Sequence, residues 1–409
     1  MNSKAGKRLV PELRFPEFRN SGHWGEKQLH DLALFVNEKV ALENLSPERY
    51  VSTENLLQDF MGMVPSPTRP STGSATRFKM SDLLISNIRP YLKKIWVAEI
   101  EGGASNDLIV IRTRKDVANK YLSQLLKSDS FIEYVMTGAK GVKMPRGDVN
   151  LIKKFVVAVP TEPDEQRKIA DCLSSIDDLI SAQAQKIETL KAHKKGLMQQ
   201  LFPAEGETVP RLRFPEFRDA GEWKEKKAGT LFANRIEEGE AGLPIYSVTM
   251  NDGMIKRYLL DRDFDDIAEP EGNKKAHKHD IAYNMMRMWQ GASGVAVEDC
   301  MVSPAYVILV PQNGVHSIFF GYLFKLSRYL RMLASHSQGI TLDRLRLYYK
   351  DFANILLPHP VVPEQKKIAD CLSSLDELIT VHTQKLEAMK AHKKGLMQGL
   401  FPSTAEGEA

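Results

Sequence analysis

At 409 residues the chain is long enough for two or three ordinary domains, and 43% hydrophobic with 26% charged residues is a globular composition, not a disordered one. The 56 Lys and Arg against 52 Asp and Glu leave a formal charge of +4, so a nucleic-acid partner must be argued from local clusters and not from net charge. Three dispersed cysteines, Cys172, Cys300 and Cys371, form no CxxC pair; this excludes a disulfide framework and a zinc pattern and fits a reducing, cytoplasmic compartment. Residues 1–10 are polar and basic without an apolar h-region, and no apolar run approaches ~20 residues, so neither a signal peptide nor a membrane span is expected.

In chain order, the first signature is Leu13-Arg14-Phe15-Pro16-Glu17-Phe18-Arg19, followed by Gly22-His23-Trp24. Arg77 and Lys79 then precede an apolar, strand-like run, Leu83-Leu84-Ile85. It leads into Ser86-Asn87-Ile88-Arg89-Pro90-Tyr91-Leu92-Lys93-Lys94. Nucleic-acid contact requires Lys or Arg for phosphates and Asn, Gln, Arg or Ser for base edges. Several such donors and an aromatic ring on a Pro-bounded turn directly after a strand mark a candidate contacting loop. A second candidate is Lys140-Gly141-Val142-Lys143-Met144-Pro145-Arg146-Gly147, whose glycines let backbone approach a duplex closely. A solvated surface explains any single Lys or Arg here equally well.

Next comes a long segment of helical periodicity. Ile169, Leu173, Ile176, Ile180, Ile187, Leu190, Leu197 and Leu201 fall on one stripe with spacings of 3, 4 and 7, those of a coiled-coil seam. Pro163 with Glu165 in the first turn marks the start and Pro203 the stop. Residues 164–178 carry five acids and two bases, whereas residues 186–195 carry four bases and one acid. Such polarity complements the helix macrodipole. It also favours an antiparallel partner of the same polarity.

The remainder of the chain repeats the first part at an offset of 199 residues. The opening signature recurs at residues 212–218, Gly221-Glu222-Trp223 matches Gly22-His23-Trp24, and Ile-Ala-Asp-Cys-Leu-Ser-Ser at 169–175 recurs at 368–374. Lys-Ala-His-Lys-Lys-Gly-Leu-Met-Gln occupies both 191–199 and 390–398, and Leu-Phe-Pro closes both copies. The second seam reads Ile368, Leu372, Leu375, Ile379, Leu386, Met389, Leu396 and Leu400. Gln183 with His382, and Lys194 with Lys393, are its polar positions, the kind that fix register. Solenoid repeats have periods of roughly 20–50 residues, so this period means two domain-sized units in one chain, mimicking a dimer. The short link 204–209 begins the second unit at the far end of the first helix, so the second helix must run back. About 38 helical residues at ~1.5 Å each span roughly 57 Å, the length of a spacer between two globular units.

The middles, 25–160 and 224–359, share only scattered matches, as expected for one scaffold carrying two different recognition surfaces. In the second copy the basic residues Lys274, Lys275 and Lys278 precede Ile281-Ala282-Tyr283, which leads into Asn284, Arg287, Trp289 and Gln290. A later cluster holds Gln338, Arg344 and Arg346. Equivalent positioning in both copies strengthens 87–94 and 284–290 as contacting loops.

In these residues the chain resembles the specificity subunits of type I restriction–modification systems. The resemblance rests on the Arg-Leu-Arg-Phe-Pro-Glu-Phe opening (complete at 211–217), on Pro163-Asp164-Glu165-Gln166 and Pro363-Glu364-Gln365 entering the long helices, and on Lys-Lys-Gly-Leu-Met-Gln-x-Leu-Phe-Pro at their ends. It covers essentially the whole chain. It implies an α+β architecture of two pseudo-symmetric mixed α/β target recognition domains (1–163 and 204–362) joined by two long antiparallel coiled-coil helices (164–203 and 363–402). It further implies a bipartite DNA target, two adenine methyltransferase subunits using S-adenosylmethionine, and a restriction and translocase subunit using ATP and Mg. The family's recognition loops vary too much for contact residues to carry over individually.

A catalytic role should leave a motif. The chain has no GxxxxGK[ST] phosphate loop, and Asn87 to Tyr91 lack the spacing of a methyltransferase Asn-Pro-Pro-Tyr signature. Asp164-Glu165-Gln166-Arg167-Lys168 imitates a nuclease cluster, but helix capping accounts for it; His193 and His392 read as solvated helix-face residues. No catalytic or metal-ligating residue is therefore assigned. The competing reading is a paired coiled-coil scaffold without DNA recognition, which the Asn-, Arg- and Lys-rich middles fit less well.

Overall fold

The computed structural model describes residues 9–260 and 272–402. The polar N-terminal stretch lies outside the described residues as far as position 8. The chain divides into two compact units, residues 1–186 with 382–409 and residues 187–381. The division passes through both long helices, so each unit holds one α/β domain and two half-helices.

In the first unit, an antiparallel four-stranded sheet orders Ala33–Phe35, Leu108–Thr113, Leu83–Ser86 and Ile95–Val97. Its central strands are apolar on both faces, because successive side chains point to opposite sides. Leu83, Ile85, Ile109 and Ile111 enter the main core with helices Asn119–Leu126 and Asp129–Thr137, whereas Leu84, Val110 and Trp96 enter a second core. That second core is closed by another sheet, ordered Lys39–Ala41, Ser74–Phe78, Gly102–Ala104 and Tyr50–Val51. A separate pair, Gly25–Gln28 with Val156–Val159, brings the chain to the central helix, Pro163–Leu201.

The second unit repeats the first sheet strand for strand as Phe232–Arg235, Tyr306–Pro311, Ile281–Asn284 and Ser293–Val295. The alternation also recurs: Ile281, Tyr283, Val307 and Leu309 face an aromatic core with Phe319, Phe320 and Phe352, and Ala282 and Ile308 face the other side. The second sheets differ at both edges, because the outer strand lies on opposite sides. Here Met254–Lys256 lies outside Ile245–Val248, where the first unit has Lys39–Ala41 outside Ser74–Phe78. Divergence is thus concentrated away from the sheet that carries the candidate loops.

Both long helices are 39 residues, and within each unit their halves run antiparallel. Ile169, Leu173, Ile180, Ile187, Ile368 and Leu372 are buried; Ile176, Leu190, Leu197, Leu375, Ile379, Leu386, Met389 and Leu396 are half-buried. In the first unit Gln183 Nε2 meets His382 at Nδ1 (2.9 Å) and at its carbonyl (2.8 Å), so two equivalent positions of the repeat contact each other. Lys393 Nζ reaches Asp177 at 2.7 Å, and in the second unit the equivalent Lys194 reaches Asp376 at 2.6 Å. These two lysines, at equivalent positions of the basic helix ends, therefore each find an aspartate of the opposing acidic end. No helix among the described residues is long and apolar enough to cross a membrane.

The two motifs that open each copy and each helix meet in space. The Arg14 guanidinium, 7% exposed, makes a two-point pair with Glu165, 1% exposed, through Nε (2.7 Å) and Nη2 (2.8 Å). Arg213 and Glu364 do the same at 2.7 and 2.8 Å. The hydrogen bond from Arg14 to Glu165 raises the guanidinium pKa. Gln166 accepts from Ala118 N and donates to Pro160 O, and Gln365 accepts from His316 N and donates to Pro360 O. Lys168 lies over Phe15 and pairs with Glu17; Lys367 lies over Phe214 and pairs with Glu216. The Glu-Gln pair that opens each long helix is thus a latch between domain and helix, a larger role than the helix capping expected of it.

Candidate nucleic-acid interface

The sheet places the candidate loops. Leu83–Ser86 ends at a tight turn in which Arg89 adopts a left-handed backbone (φ +50°) and so does Lys93 (φ +53°), either side of the short turn Pro90–Leu92. The cluster at 140–147, some fifty residues later, folds as a hairpin closed by Lys140 N to Arg146 O (3.0 Å) and Arg146 N to Lys140 O (2.9 Å). Two further backbone bonds pin it to the first loop: Gly147 N to Asn87 O at 3.0 Å and Arg89 N to Pro145 O at 2.7 Å. Two clusters distant in sequence thus form one surface. The second unit is built alike: Gln338 and Arg346 close a hairpin at 2.9 and 2.8 Å, and Leu347 N donates to Met285 O at 3.0 Å.

Glycine is required where each hairpin begins. Gly141 has φ +103° and Gly339 φ +145°, and a Cβ on Gly339 would lie 2.5 Å from Arg344 O. Side chains rarely adopt these angles, so both positions are reserved for glycine.

On the first surface Arg89, Tyr91, Lys140, Lys143 and Arg146 are exposed. Arg146 also pairs with Asp107 at 2.8 Å, an exposed contact that solvent screens and a phosphate can replace. On the second, Arg287, Gln290, Gln338, Arg344 and Arg346 are exposed, and Trp289 is half-buried with its Nε1 donating to Met286 O. Gln338 donates to Asp351.

Several candidates stand elsewhere or are engaged. Asn87 is only 9% exposed and its Oδ1 accepts no hydrogen bond among the described residues, so it lies beneath the loop and does not offer a base-reading edge. Its counterpart Asn284 accepts from Met286 N, shaping the turn. Lys94 donates to Thr53 O, and Lys93 pairs with Asp129, which also holds Lys394; the two ammonium groups keep the Asp129 carboxyl below its ordinary range. Arg77, paired with Glu38, and exposed Lys79 belong to the second sheet or its flank. So do Lys274, Lys275 and Lys278. Lys274 donates to Tyr306 O in a half-buried setting where desolvation lowers its pKa, and Lys275 pairs with Glu240, which raises its own; Lys278 is exposed. In this structure Asn87 is buried, and the ammonium groups of Lys94 and Lys274 are engaged by backbone carbonyls.

Sequence reasoning passed over the hairpin tips themselves, where Val142 and Ile340 are fully exposed; the signal available was the weak match of 141–146 with 339–344. Among the described residues no group of three or more His, Cys, Asp or Glu side chains is arranged to hold a metal ion.

The model of the type I restriction modification DNA specificity domain matches residues 75–192 and again 226–391. The chain belongs to this family. It is a DNA specificity subunit of the type I restriction–modification class, duplicated within one polypeptide. The MjaVIII specificity subunit of Methanocaldococcus jannaschii is 24% identical over 323 residues, covering 74% of each chain. A second protein of that organism, described as the MjaX specificity subunit, is 24% identical over 346 residues, covering 80% of this chain and 78% of its own. Among solved structures, the S subunit of a type I system from M. genitalium superposes with a TM-score of 0.59 at 16% identity, over 97% of this chain and 100% of that one. A chain from a study of type I complex assembly and conformational transition gives 0.52 at 16% identity, over 93% and 98%. These two likenesses establish the fold.

Proposed function

We propose that this specificity subunit reads a bipartite, asymmetric DNA target, one half with the surface formed by 86–94 and 140–147 and the other with that formed by 284–290 and 337–346. The chain itself catalyses nothing. It directs adenine methylation or cleavage by partners, two methyltransferase subunits using S-adenosylmethionine and restriction and translocase subunits using ATP and Mg. The paired helices act as the spacer that sets the unread gap.

The observation carrying this reading is the recurrence of one construction with unlike side chains. In both units a basic hairpin is strapped by backbone bonds to the loop that follows the same sheet strand. Backbone bonds keep the geometry whatever the side chains are. Recognition residues are therefore free to differ, as Lys140 in the closing pair of the first hairpin differs from Gln338 in that of the second. Cations on such a surface hold phosphates, and Arg and Gln address base edges.

The test is selection from randomised duplex DNA by the chain assembled with its methyltransferase subunits. A split motif with two unlike halves is expected. No enrichment would instead favour the protein scaffold.

A further inference from the structure

The hairpins end in apolar side chains fully given to solvent. Val142 is 101% exposed and Met144 54%; Ile340 is 99% exposed and Leu342 63%. Isolated exposed apolar residues are common and need no explanation. Here the same placement occurs twice, one residue after each hairpin-opening glycine, in two middles that otherwise share few residues. Each tip is held stiff by its closing backbone pair and its left-handed glycine.

The surroundings identify the occupant. Residues 140–146 contain three cations and no acid, and residues 338–346 contain two cations and one acid, Asp343. An apolar tip of two side chains in a cationic rim is too narrow for a protein–protein patch, but it matches a duplex. A two-stranded ribbon fits the major groove, where the one apolar feature of the base edges is the thymine C5-methyl.

We propose that Val142 and Ile340 are specificity-determining residues that each press on a thymine methyl in the major groove, one in each half of the target. Lys140, Lys143 and Arg146 around the first tip, and Arg344 and Arg346 around the second, hold the flanking phosphates. The inference rests on the DNA-recognition reading above and deepens it.

The experiment uses the chain assembled with its methyltransferase subunits and duplexes selected from a random library. The selected duplex is rebuilt with deoxyuridine for thymidine, one half at a time, which removes only methyl groups. Wild type should lose affinity about fourfold for each contacted methyl. Val142→Ser should abolish the methyl dependence of one half only, and Ile340→Ser that of the other; both positions are fully exposed, so neither change disturbs packing. If wild type selects a split motif but binds the deoxyuridine duplexes equally well, or if the serine variants keep the wild-type methyl dependence, the inference is overturned while DNA recognition stands. If wild type selects no motif, the recognition reading fails and takes this inference with it.

Discussion

Replacing Glu165 by alanine removes the carboxylate from the latch of the first unit and leaves Arg14 with two of its four partners, the carbonyls of Ser21 and Gly22. Two charge-assisted bonds at 2.7 and 2.8 Å are lost. The arginine side chain is 7% exposed, so water does not replace them. Such bonds contribute about 1.5–3 kcal/mol each, and breaking a buried pair from one side costs about 3–5 kcal/mol. Because two carbonyls remain, the expected loss is about 3 kcal/mol. For a unit of this size that lowers the midpoint of thermal unfolding by roughly 6–12 °C. Calorimetry of the full chain measures it. The companion variant Arg14→Met with Glu165→Leu removes both charges, and it should be less destabilised than Glu165→Ala, since no unpaired ion is left buried. A shift under about 2 °C for Glu165→Ala, or a double variant worse than the single, would refute the reasoning.

Other outcomes follow from the same structure. Arg89→Ala and Arg287→Ala should each weaken binding of the assembled complex by about 1–3 kcal/mol if the guanidinium grips a base edge at two points, as measured by gel shift; normal affinity in both would remove these loops from the interface. Lys325 is half-buried, its Nζ donating to Met250 O and Gly291 O, and desolvation lowers its pKa to about 8. The unfolded chain, with an ordinary lysine near ~10.4, then binds more protons between these values, so the Lys325 contribution to stability rises with pH from about 8 to about 10. Denaturant titrations of wild type against Lys325→Met across that range should show the wild type gaining, whereas a constant difference would contradict the assignment. One heptad inserted into the central helix alone should change the unread gap of the selected motif or block assembly; an unchanged gap with full activity would remove the spacer role.

The parts of this fold legible in the sequence were those with short-range rules. The heptad spacing from Ile169 to Leu201 identifies the seam, and the opposed charge of the two helix ends indicates the antiparallel pairing in which Lys393 meets Asp177 and Lys194 meets Asp376. The candidate loops were visible as donor-rich turns after apolar strands. Their union was not, because the bonds joining Asn87 to Gly147 and Arg89 to Pro145 run between backbone atoms and leave no side-chain pattern. The latch was hidden for a related reason: Arg14 and Glu165 are 151 residues apart, and no spacing rule links them. Residue type also misled in both directions. Asn87 has the chemistry of a base reader yet is buried, and Val142 and Ile340 have the chemistry of a core yet are exposed.

Two independent surfaces on one duplicated scaffold are expected each to read half of a DNA target. Exchanging residues 1–163 for those of another type I specificity subunit, and sequencing the adenine methylation pattern of cells that express the chimaera with the methyltransferase, tests it directly. One half of the modified motif should change while the other half and the gap persist. A motif altered in both halves, or altered in neither, would contradict it.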